Sequence, residues 1–525
     1  MLQRFIDYVF ALKHHLYIDS KTKNYLELNK TKWEKNKISN TKNIILLDFF
    51  DWYPWILFWS IFSNKLSQIY NAKIYYYYFP LYKSILSNNH FFLRVRKKIY
   101  NSFNAHEILN ELNFSNNKDY NFNYNKLIKS KMDLIKFKYK GIVIGDLIYD
   151  SYLRSTYSCT INNLRDDYLI KLFYRTIRIF DEIEKLFKKK AVKAVISSHT
   201  CYVQYGLMVR IACKKKIPVY ITPGIAWGTK RLSIKRVDVK TLNNFDPYYK
   251  YNQIFSKFSI KQKKMFRKIG QKILIERFAG NFKKFLPHIQ KIKSQELGIV
   301  ENISLNKKKI FVIYTHCFWD YVHKFRYAVF PDFYDWVVET IKILEDNHDC
   351  QIFLKPHPNG YINNVNILKQ IKKNFPKIVI LSNFHDLNYV VNLKPELVIT
   401  VFGSVGHELP FKNICVLNAG DNLSVNYNFN LTAKNYLDYK KKIINYQKYK
   451  KKINFTKKYI YEFCYMHYVY FYNLNDREKL IKDNMFSYDS LKLSNSSDNL
   501  YKFSKQFERI FINFSKYFNN VFKLN

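Results

Sequence analysis

Apolar positions along the chain fall into two blocks of alternating strand-like and helix-like pattern, separated by a stretch rich in Lys and Phe. In the first block, Asn43-Ile-Ile-Leu-Leu-Asp48 is a short apolar run, the length of a buried strand. A helix led by Pro54 follows, and Lys73-Ile-Tyr-Tyr-Tyr-Tyr predicts a second strand. Gly141-Ile-Val-Ile-Gly145 predicts another buried strand, ending on glycine, whereas residues 101–140 are Asn- and Lys-rich and show no clear pattern. Over 167–190, Leu169, Phe173, Ile177, Phe180, Ile183 and Phe187 recur at three- and four-residue steps, the stripe of an amphipathic helix. Strands expected over 194–197 and 217–221 flank a helix over 202–215, and strand–helix–strand order implies a parallel sheet.

Residues 240–305 read as a linker with helices, after which the alternation restarts. Strands are expected at 309–314, 350–354, 377–381, 396–401 and 414–417, with helices at 332–347, 364–374, 385–393 and 406–412. Beyond about residue 430 the pattern is helical and basic, with nine lysines from Lys440 to Lys458 and a polar patch at 494–498. The expected class is α/β: two doubly wound Rossmann-like domains facing a cleft, with a helical C-terminal extension. The expected boundaries are 1–285 for an N-terminal α/β domain, 300–430 for a C-terminal α/β domain and 431–525 for the basic helical region.

Composition adds charge to this picture. The 525 residues carry a formal net charge of +46, from 87 Lys and Arg against 41 Asp and Glu. Such a field attracts nucleotides, nucleic acid or an anionic membrane face. The excess of Lys, Asn, Ile, Tyr and Phe also fits an AT-rich coding bias, under which much of the charge is solvated surface. Seven cysteines without a CxxC suggest neither a disulfide framework nor a zinc ribbon, and a reducing cytoplasm fits. Arg4, Asp7 and Lys13 interrupt any secretory apolar core. The greasiest stretch, Trp52 to Asn64, has 13 uncharged residues, short of the roughly 20 that span a bilayer, and reads as a core helix with an interfacial segment as its rival.

In open parallel sheets ligands bind beyond the C-terminal strand ends, so the residues after each strand bear the chemistry. Four such loops in the second block are unusual: Thr315-His-Cys-Phe-Trp-Asp320 followed by His323, Lys355-Pro-His-Pro358, Phe402-Gly-Ser-Val-Gly-His-Glu408 and Ala419-Gly-Asp421. Only 12 glycines occur where about 7% is usual, yet Gly403, Gly406 and Gly420 fall in these loops, and Gly145 and Gly224 at strand ends of the first block. Gly403-Ser404-Val405-Gly406 opening a helix would offer N–H groups to an anion, with Glu408 available to ribose hydroxyls; a plain glycine turn with Ser404 as N-cap is the alternative. Lys355 offers a positive charge, and two prolines hold His357 where it can donate to a phosphate oxygen; a rigid turn with a surface His is the alternative. His316 is expected to approach substrate and Asp320 to orient a neighbour. Their spacing with His323 is too loose for a convincing metal site, so no metal and no cofactor is expected. In the first block, Asp146, Asp150 and His199 are candidates for the base that takes a proton from an acceptor hydroxyl, with an Asp150–Arg154 ion pair as the structural alternative. No P-loop, HExxH, GxSxG or EF-hand pattern occurs.

Together, Gly145-Asp-Leu-Ile-Tyr-Asp-Ser-Tyr-Leu-Arg154, Thr315-His-Cys-Phe-Trp-Asp-Tyr-Val-His323, Lys355-Pro-His-Pro358 and Gly403-Ser-Val-Gly-His-Glu408 resemble the capsule polysaccharide biosynthesis family, which includes the capsular Kdo-transferase-like glycosyltransferases. The resemblance covers about 140–230 and 308–420. It implies a glycosyltransferase B fold, a donor held mainly by the C-terminal domain, and metal-independent transfer from a nucleotide-activated sugar, CMP-linked sugars included. It also implies a polysaccharide or glycolipid acceptor and a cytoplasmic enzyme peripheral to the inner membrane. By the same resemblance Lys355 and His357 face the donor phosphate, Ser404 is the hydroxyl of the glycine-flanked loop, and Glu408 heads the next helix. His407 and Pro410 depart from the family pattern. The rival readings are a CDP-glycerol-type polyol-phosphate transferase, a nucleotide-sugar epimerase, and a non-enzymatic basic protein on membrane or nucleic acid. No RNA-binding aromatic pattern occurs, so nucleic acid is not an expected partner.

Overall fold

The computed structural model describes residues 18–50, 53–79, 94–108, 123–221, 235–242, 246–280, 308–324, 328–357, 362–382, 387–471, 500–501, 504–505 and 507–508. Gly224, Pro358 and the 494–498 patch lie outside them. The chain divides into two compact units: 1–151 with 164–242 and 479–525, and 152–163 with 243–478. The division after Leu242 falls at the start of the 240–305 linker, ahead of the expected domain end at 285. The basic region through Lys458 belongs to the second unit rather than forming a region of its own.

In the first unit, helix α1 (Ser20–Glu34) precedes β1 (Asn43–Asp48), α2 (Tyr53–Tyr70), β2 (Lys73–Tyr77), α3 (Arg94–Ser102) and β3 (Ala105–Glu107). A two-residue antiparallel hairpin, β4 (Lys138–Tyr139) with β5 (Ile142–Val143), leads into α4 (Gly145–Thr156) and α5 (Asp167–Lys189). The apolar run at 141–145 is therefore a hairpin arm, not a strand of the main sheet. Lys140 and Gly141 take positive φ and turn the chain back on itself. Strand β6 (Ala191–Ser197), a wide turn at Tyr202–Gly206, α6 (Leu207–Lys214), β7 (Val219–Ile221) and β8 (Lys235–Val237) complete the unit.

The sheet order is β3-β2-β1-β6-β7-β8, parallel except for the edge strand β8. This is the doubly wound 3-2-1-4-5-6 arrangement, with its switch point between β1 and β6. Helix α2 buries Trp55, Ile56, Leu57, Phe58, Trp59, Ile61 and Phe62 in the core, so the greasy stretch is a core helix. Along α5 the stripe from Leu169 to Ile183 is buried, and Asp166 caps the helix through Leu169 N at 2.9 Å. Leu500 and Phe507 pack into this same core, and Ser504 bonds the Tyr25 hydroxyl at 2.6 Å.

In the second unit, α7 (Ile260–Phe278) is followed by β9 (Lys309–Tyr314), α8 (Phe333–Asn347), β10 (Cys350–Lys355), α9 (Ile362–Asn374), β11 (Val379–Ile380), α10 (Leu387–Asn392) and β12 (Leu397–Thr400). One helical turn α11 (Val405–Glu408), β13 (Val416–Asn418), β14 (Leu431–Thr432), α12 (Tyr436–Ile444) and α13 (Lys457–Cys464) follow. Its sheet order, β11-β10-β9-β12-β13-β14, repeats the same winding with all pairs parallel. The switch point lies between β9 and β12. The β9–β10 register ends level, Tyr314 opposite Lys355, and β12 and β13 end level at Thr400 and Asn418. Loops after these four strands therefore leave from one edge.

Candidate functional site

At the edge of the second sheet, Thr315 ties the ends of β9 and β10 together, its N–H donating to the Lys355 carbonyl at 3.0 Å. The next residue, His316, donates from Nδ1 to the Cys317 carbonyl at 3.2 Å, which leaves the lone pair on Nε2. Its ring lies 4.6 Å from Phe333 and 5.5 Å from the ring of His357. Burial pushes the His316 pKa below 6.5, against the opposing pull of the Cys317 carbonyl and the Asp320 carboxylate, so the imidazole is neutral at pH 7. His316 and His357, from the loops after two neighbouring strands, are thus side by side, as expected of parallel strands ending together.

Asp320 accepts from Arg154 Nη1 at 2.7 Å. The 152–163 segment is further fixed in this unit by Thr160, which donates to Asp332 at 2.6 Å, and by Tyr157 packed edge-on against Trp319. Arg154 thus pairs with Asp320, and the Asp150–Arg154 pair considered from the sequence is not among the ion pairs of the described residues. Lys355, the last residue of β10, is 7% exposed and donates from Nζ to the Ser382 carbonyl at 2.7 Å. His357 is half-buried two residues further on.

The glycine loop after β12 is built by close approach. A Cβ on Gly403 would stand 2.7 Å from Thr400 Oγ1, and one on Gly406 would stand 3.1 Å from Asn418 Oδ1. The expected 406–412 helix is one α turn, Val405–Glu408, then a 3-10 turn, Leu409–Lys412, because Pro410 brings no N–H to continue the α ladder. One turn aligns few peptide dipoles, so the anion attraction expected of a helix start is weak here. Glu408, 1% exposed, accepts from Arg277 Nε at 2.6 Å through Oε1 and from the Ser404 hydroxyl at 3.2 Å through Oε2. Both of its oxygens are committed inside the unit. Arg277, in the last turn of α7, was not singled out by the sequence pattern, which showed only a basic helix there. His407 is buried with Nε2 2.8 Å from the Tyr468 hydroxyl, and burial, aided by the Arg277 charge, pushes its pKa down to about 3. In the last loop, Gly420 takes φ +118° and Asp421 accepts from the Tyr249 hydroxyl. Val322, Phe330, Asp332, Val401, Ala419 and Asp421 line a shallow depression at this edge.

The switch point of the first sheet is also polar. Asp48, the last residue of β1, is 1% exposed. Its Oδ2 accepts from the Ser198 N–H at 2.6 Å and from the Ser198 hydroxyl, and the Ser197 hydroxyl lies 3.2 Å from it and 2.8 Å from the His199 carbonyl. The Ser198 Oγ is in turn 2.9 Å from His199 Nδ1. The His199 ring stacks on Phe50 at 5.5 Å and leans on Tyr205 at 5.1 Å. Burial pushes the Asp48 pKa up to about 6, although the Ser198 and Ser197 bonds pull it down. Asp146 is held bidentately by Arg210, at 2.5 and 2.6 Å, and Arg210 also donates to the Val143 carbonyl at 2.7 Å. Burial disfavours the Arg210 charge, but the Asp146 carboxylate outweighs it and holds the guanidinium charged. This carboxylate anchors the start of α4. Asp150, one turn on, is 1% exposed. Sequence reasoning passed over Asp48 because it closes an apolar run and reads as strand; its position at a C-terminal strand end was the available signal.

Two doubly wound sheets in one chain, each with polar groups at its switch point, make an α/β protein of two Rossmann-like units. No family model matches the chain, and no curated protein matches it at a significant level. Among solved structures it is similar to KpsC of Thermosulfurimonas dismutans, a beta Kdo 2,7 transferase, at 14% identity over 48% of this chain and 73% of that one, with a TM-score of 0.28. It is also similar to a Methanocaldococcus jannaschii UDP-GlcNAc 2-epimerase, at 14% identity over 85% and 100% with a TM-score of 0.26. A third is the wall teichoic acid polymerase TagF, at 12% identity over 87% and 95% with a TM-score of 0.23. Likenesses this distant carry no functional argument, and the reading below rests on the residues.

Proposed function

We propose that the chain is a glycosyltransferase that moves a sugar from a nucleotide-activated donor, CMP-linked sugars included, to a surface polysaccharide or its lipid anchor on the cytoplasmic face of a membrane. The observation that carries this reading is the pairing of His316 and His357 at the switch-point edge of a fully parallel sheet, next to Lys355. In the proposed reaction the bond between the anomeric carbon and the phosphate oxygen breaks, and its electron pair stays on the phosphate. His357 donates a hydrogen bond or a proton to that oxygen, and Lys355 contributes positive potential, so the developing charge is met by fixed groups. The acceptor oxygen bonds to the anomeric carbon as its proton leaves to a base, with Asp146, Asp150 and His199 as the candidates. Because protein groups meet the phosphate charge, a chelator leaves the rate unchanged.

Seven of the lysines between Lys440 and Lys458 are exposed: Lys440, Lys441, Lys448, Lys451, Lys452, Lys457 and Lys458. They support attraction to anionic lipid near the acceptor's anchor. The test of the reaction is nucleotide release from candidate donors in the presence of acceptor, with the product followed by phosphorus NMR. Nucleotide release without a new phosphodiester supports glycosyl transfer. A phosphodiester product replaces it with polyol-phosphate transfer, and an isomerised donor formed without acceptor replaces it with epimerisation.

A further inference from the structure

Helix α7 of the second unit has an outer face that the proposed reaction does not use. Its start is fixed by its own residues: the Ser259 hydroxyl accepts from the Gln262 N–H at 3.3 Å, and Gln262 Oε1 accepts from the Ser259 N–H at 2.9 Å. Its inner face is packed. Ile273, Leu274 and Arg277 are buried, and a Cβ on Gly270 would stand 1.9 Å from the Tyr461 carbonyl oxygen of α13. The outer face carries Lys261, Lys264, Lys268 and Lys272, all exposed. At 3.6 residues per turn these four fall within about 80° of arc. Among and beside them stand Ile260, Met265 and Ile275, 87%, 52% and 55% exposed. We propose that this face of α7 is a docking surface for anionic phospholipid, with the lysines on headgroup phosphates and the three apolar side chains in the headgroup–acyl boundary. The inference rests on the membrane reading above, to which it adds a second surface, and on no step of sugar transfer.

The charge on this face is unmixed. From Tyr251 to Ile275 the chain holds no Asp or Glu, and the four lysines enter no ion pair among the described residues. The cations nearer the inner face are used within the unit: Arg267 Nη2 meets Glu462 at 3.1 Å, and Lys263 donates to the Ser256 carbonyl at 2.7 Å. An anionic sheet of headgroups is the complement of such a row, worth roughly five-fold in affinity for each lysine close to it. A lone exposed apolar side chain is ordinary, and charge alone would not need one. Three of them on one 19-residue helix, between lysines whose own stems are apolar, make the pattern that lies in a membrane interface. Nucleic acid is served less well. The outer face offers neither an arginine fork nor an aromatic ring for a base, because Arg267 is held by Glu462 and Phe266 stacks on Tyr465 at 4.1 Å.

The test is co-sedimentation of the full chain with phosphatidylcholine vesicles that contain or lack phosphatidylglycerol. Wild type is compared with two variants: Lys261→Gln, Lys264→Gln, Lys268→Gln and Lys272→Gln combined, and Ile260→Ser, Met265→Ser and Ile275→Ser combined. All seven positions are exposed, so both variants should keep the wild-type circular dichroism and melting. Wild type should bind the vesicles that contain phosphatidylglycerol and not the others. The lysine variant should bind them at least about ten-fold more weakly. The serine variant should bind at low salt and be released at lower salt than wild type, because the contribution that salt does not screen is gone. An environment-sensitive dye on Met265→Cys should shift its emission to the blue on binding. A folded lysine variant that binds like wild type overturns the proposal and leaves the lysines at 440–458 as the membrane contact. A dye at 265 that keeps its aqueous emission on vesicle-bound protein overturns it as well. Wild type that ignores both vesicles overturns it together with the membrane reading, and retention on single-stranded DNA would then assign the face to nucleic acid. The expected vesicle results combined with no transfer from any donor leave the docking surface standing and remove the sugar-transfer reading alone.

Discussion

The two sheets share a winding order but treat their switch points differently. In the first unit the polar groups belong to the strands themselves: Asp48 closes β1 and Ser197 closes β6, and both are buried, Asp48 held by Ser198 and Ser197 bonded to the His199 carbonyl. In the second unit Lys355 closes β10 and Thr400 closes β12, but the histidines sit on the loops that leave the sheet, with His316 and His357 partly buried and close together. The first arrangement suits one oriented base. The second suits a larger charged ligand that must enter and leave. The interior charges differ in the same sense. In the second unit the buried Glu408 has an arginine partner, whereas in the first unit Asp48 is held by neutral hydroxyl and amide donors.

The sharpest way to break this contrast is to remove the arginine. Arg277→Met leaves Glu408 charged and buried, and should cost the second unit about 3–5 kcal/mol. Urea unfolding followed by hydrogen exchange should show that loss in the second unit and none in the first. Next in size, His357→Ala should lower turnover roughly 10²-fold, about 2.7 kcal/mol in the barrier, with the circular dichroism spectrum unchanged. A rate equal to wild type would remove His357 from the mechanism.

Acid should separate the two units. His407 has a folded pKa of about 3 against an ordinary 6.5, so the unfolded chain binds more protons in that window. The second unit then loses up to about 1.4 kcal/mol per pH unit as pH falls from 6.5 toward 3. Asp48 acts with the opposite sign. Its folded pKa of about 6 exceeds the ordinary 3.8, the folded state binds the extra proton, and the first unit gains stability as pH falls through that window. Unit-resolved hydrogen exchange at pH 7 and pH 5 should show these opposed slopes, and His407→Gln should flatten the second. Smallest of all, replacing Lys448, Lys451, Lys452, Lys457 and Lys458 with Gln should change stability by no more than about 0.5 kcal/mol, because all five are exposed. The same variant should lose pelleting on anionic vesicles, and equal pelleting of wild type on neutral vesicles would sink the membrane reading.

The second unit was the more legible from sequence, because its central strands are continuous apolar runs, such as Phe311-Val-Ile313 and Leu397-Val-Ile-Thr400, buried on both faces. In the first unit β3 is only Ala105-His-Glu107 and takes its place through pairing with β2, which no local pattern announces. Ile142–Val143 misled in the other direction: an apolar run can be a hairpin arm when a positive-φ pair precedes it. At the site, loop residues such as His316, His357 and Gly403 stood out by composition and by glycine scarcity. Pairings over long separations did not. Arg277 meets Glu408 131 residues later, and Asp48 meets Ser198 after 150, so neither partner is marked by its own neighbourhood.

The central claim, a nucleotide-sugar donor held by the second unit, is tested most directly by calorimetric titration of CMP, CDP, UDP and GDP into wild type and His357→Ala. The account expects one nucleotide to bind wild type tightly and the variant more weakly, which also names the donor class. Folded wild-type protein that binds none of the four contradicts it, and the enzyme assignment would then give way to a basic protein acting through charge alone.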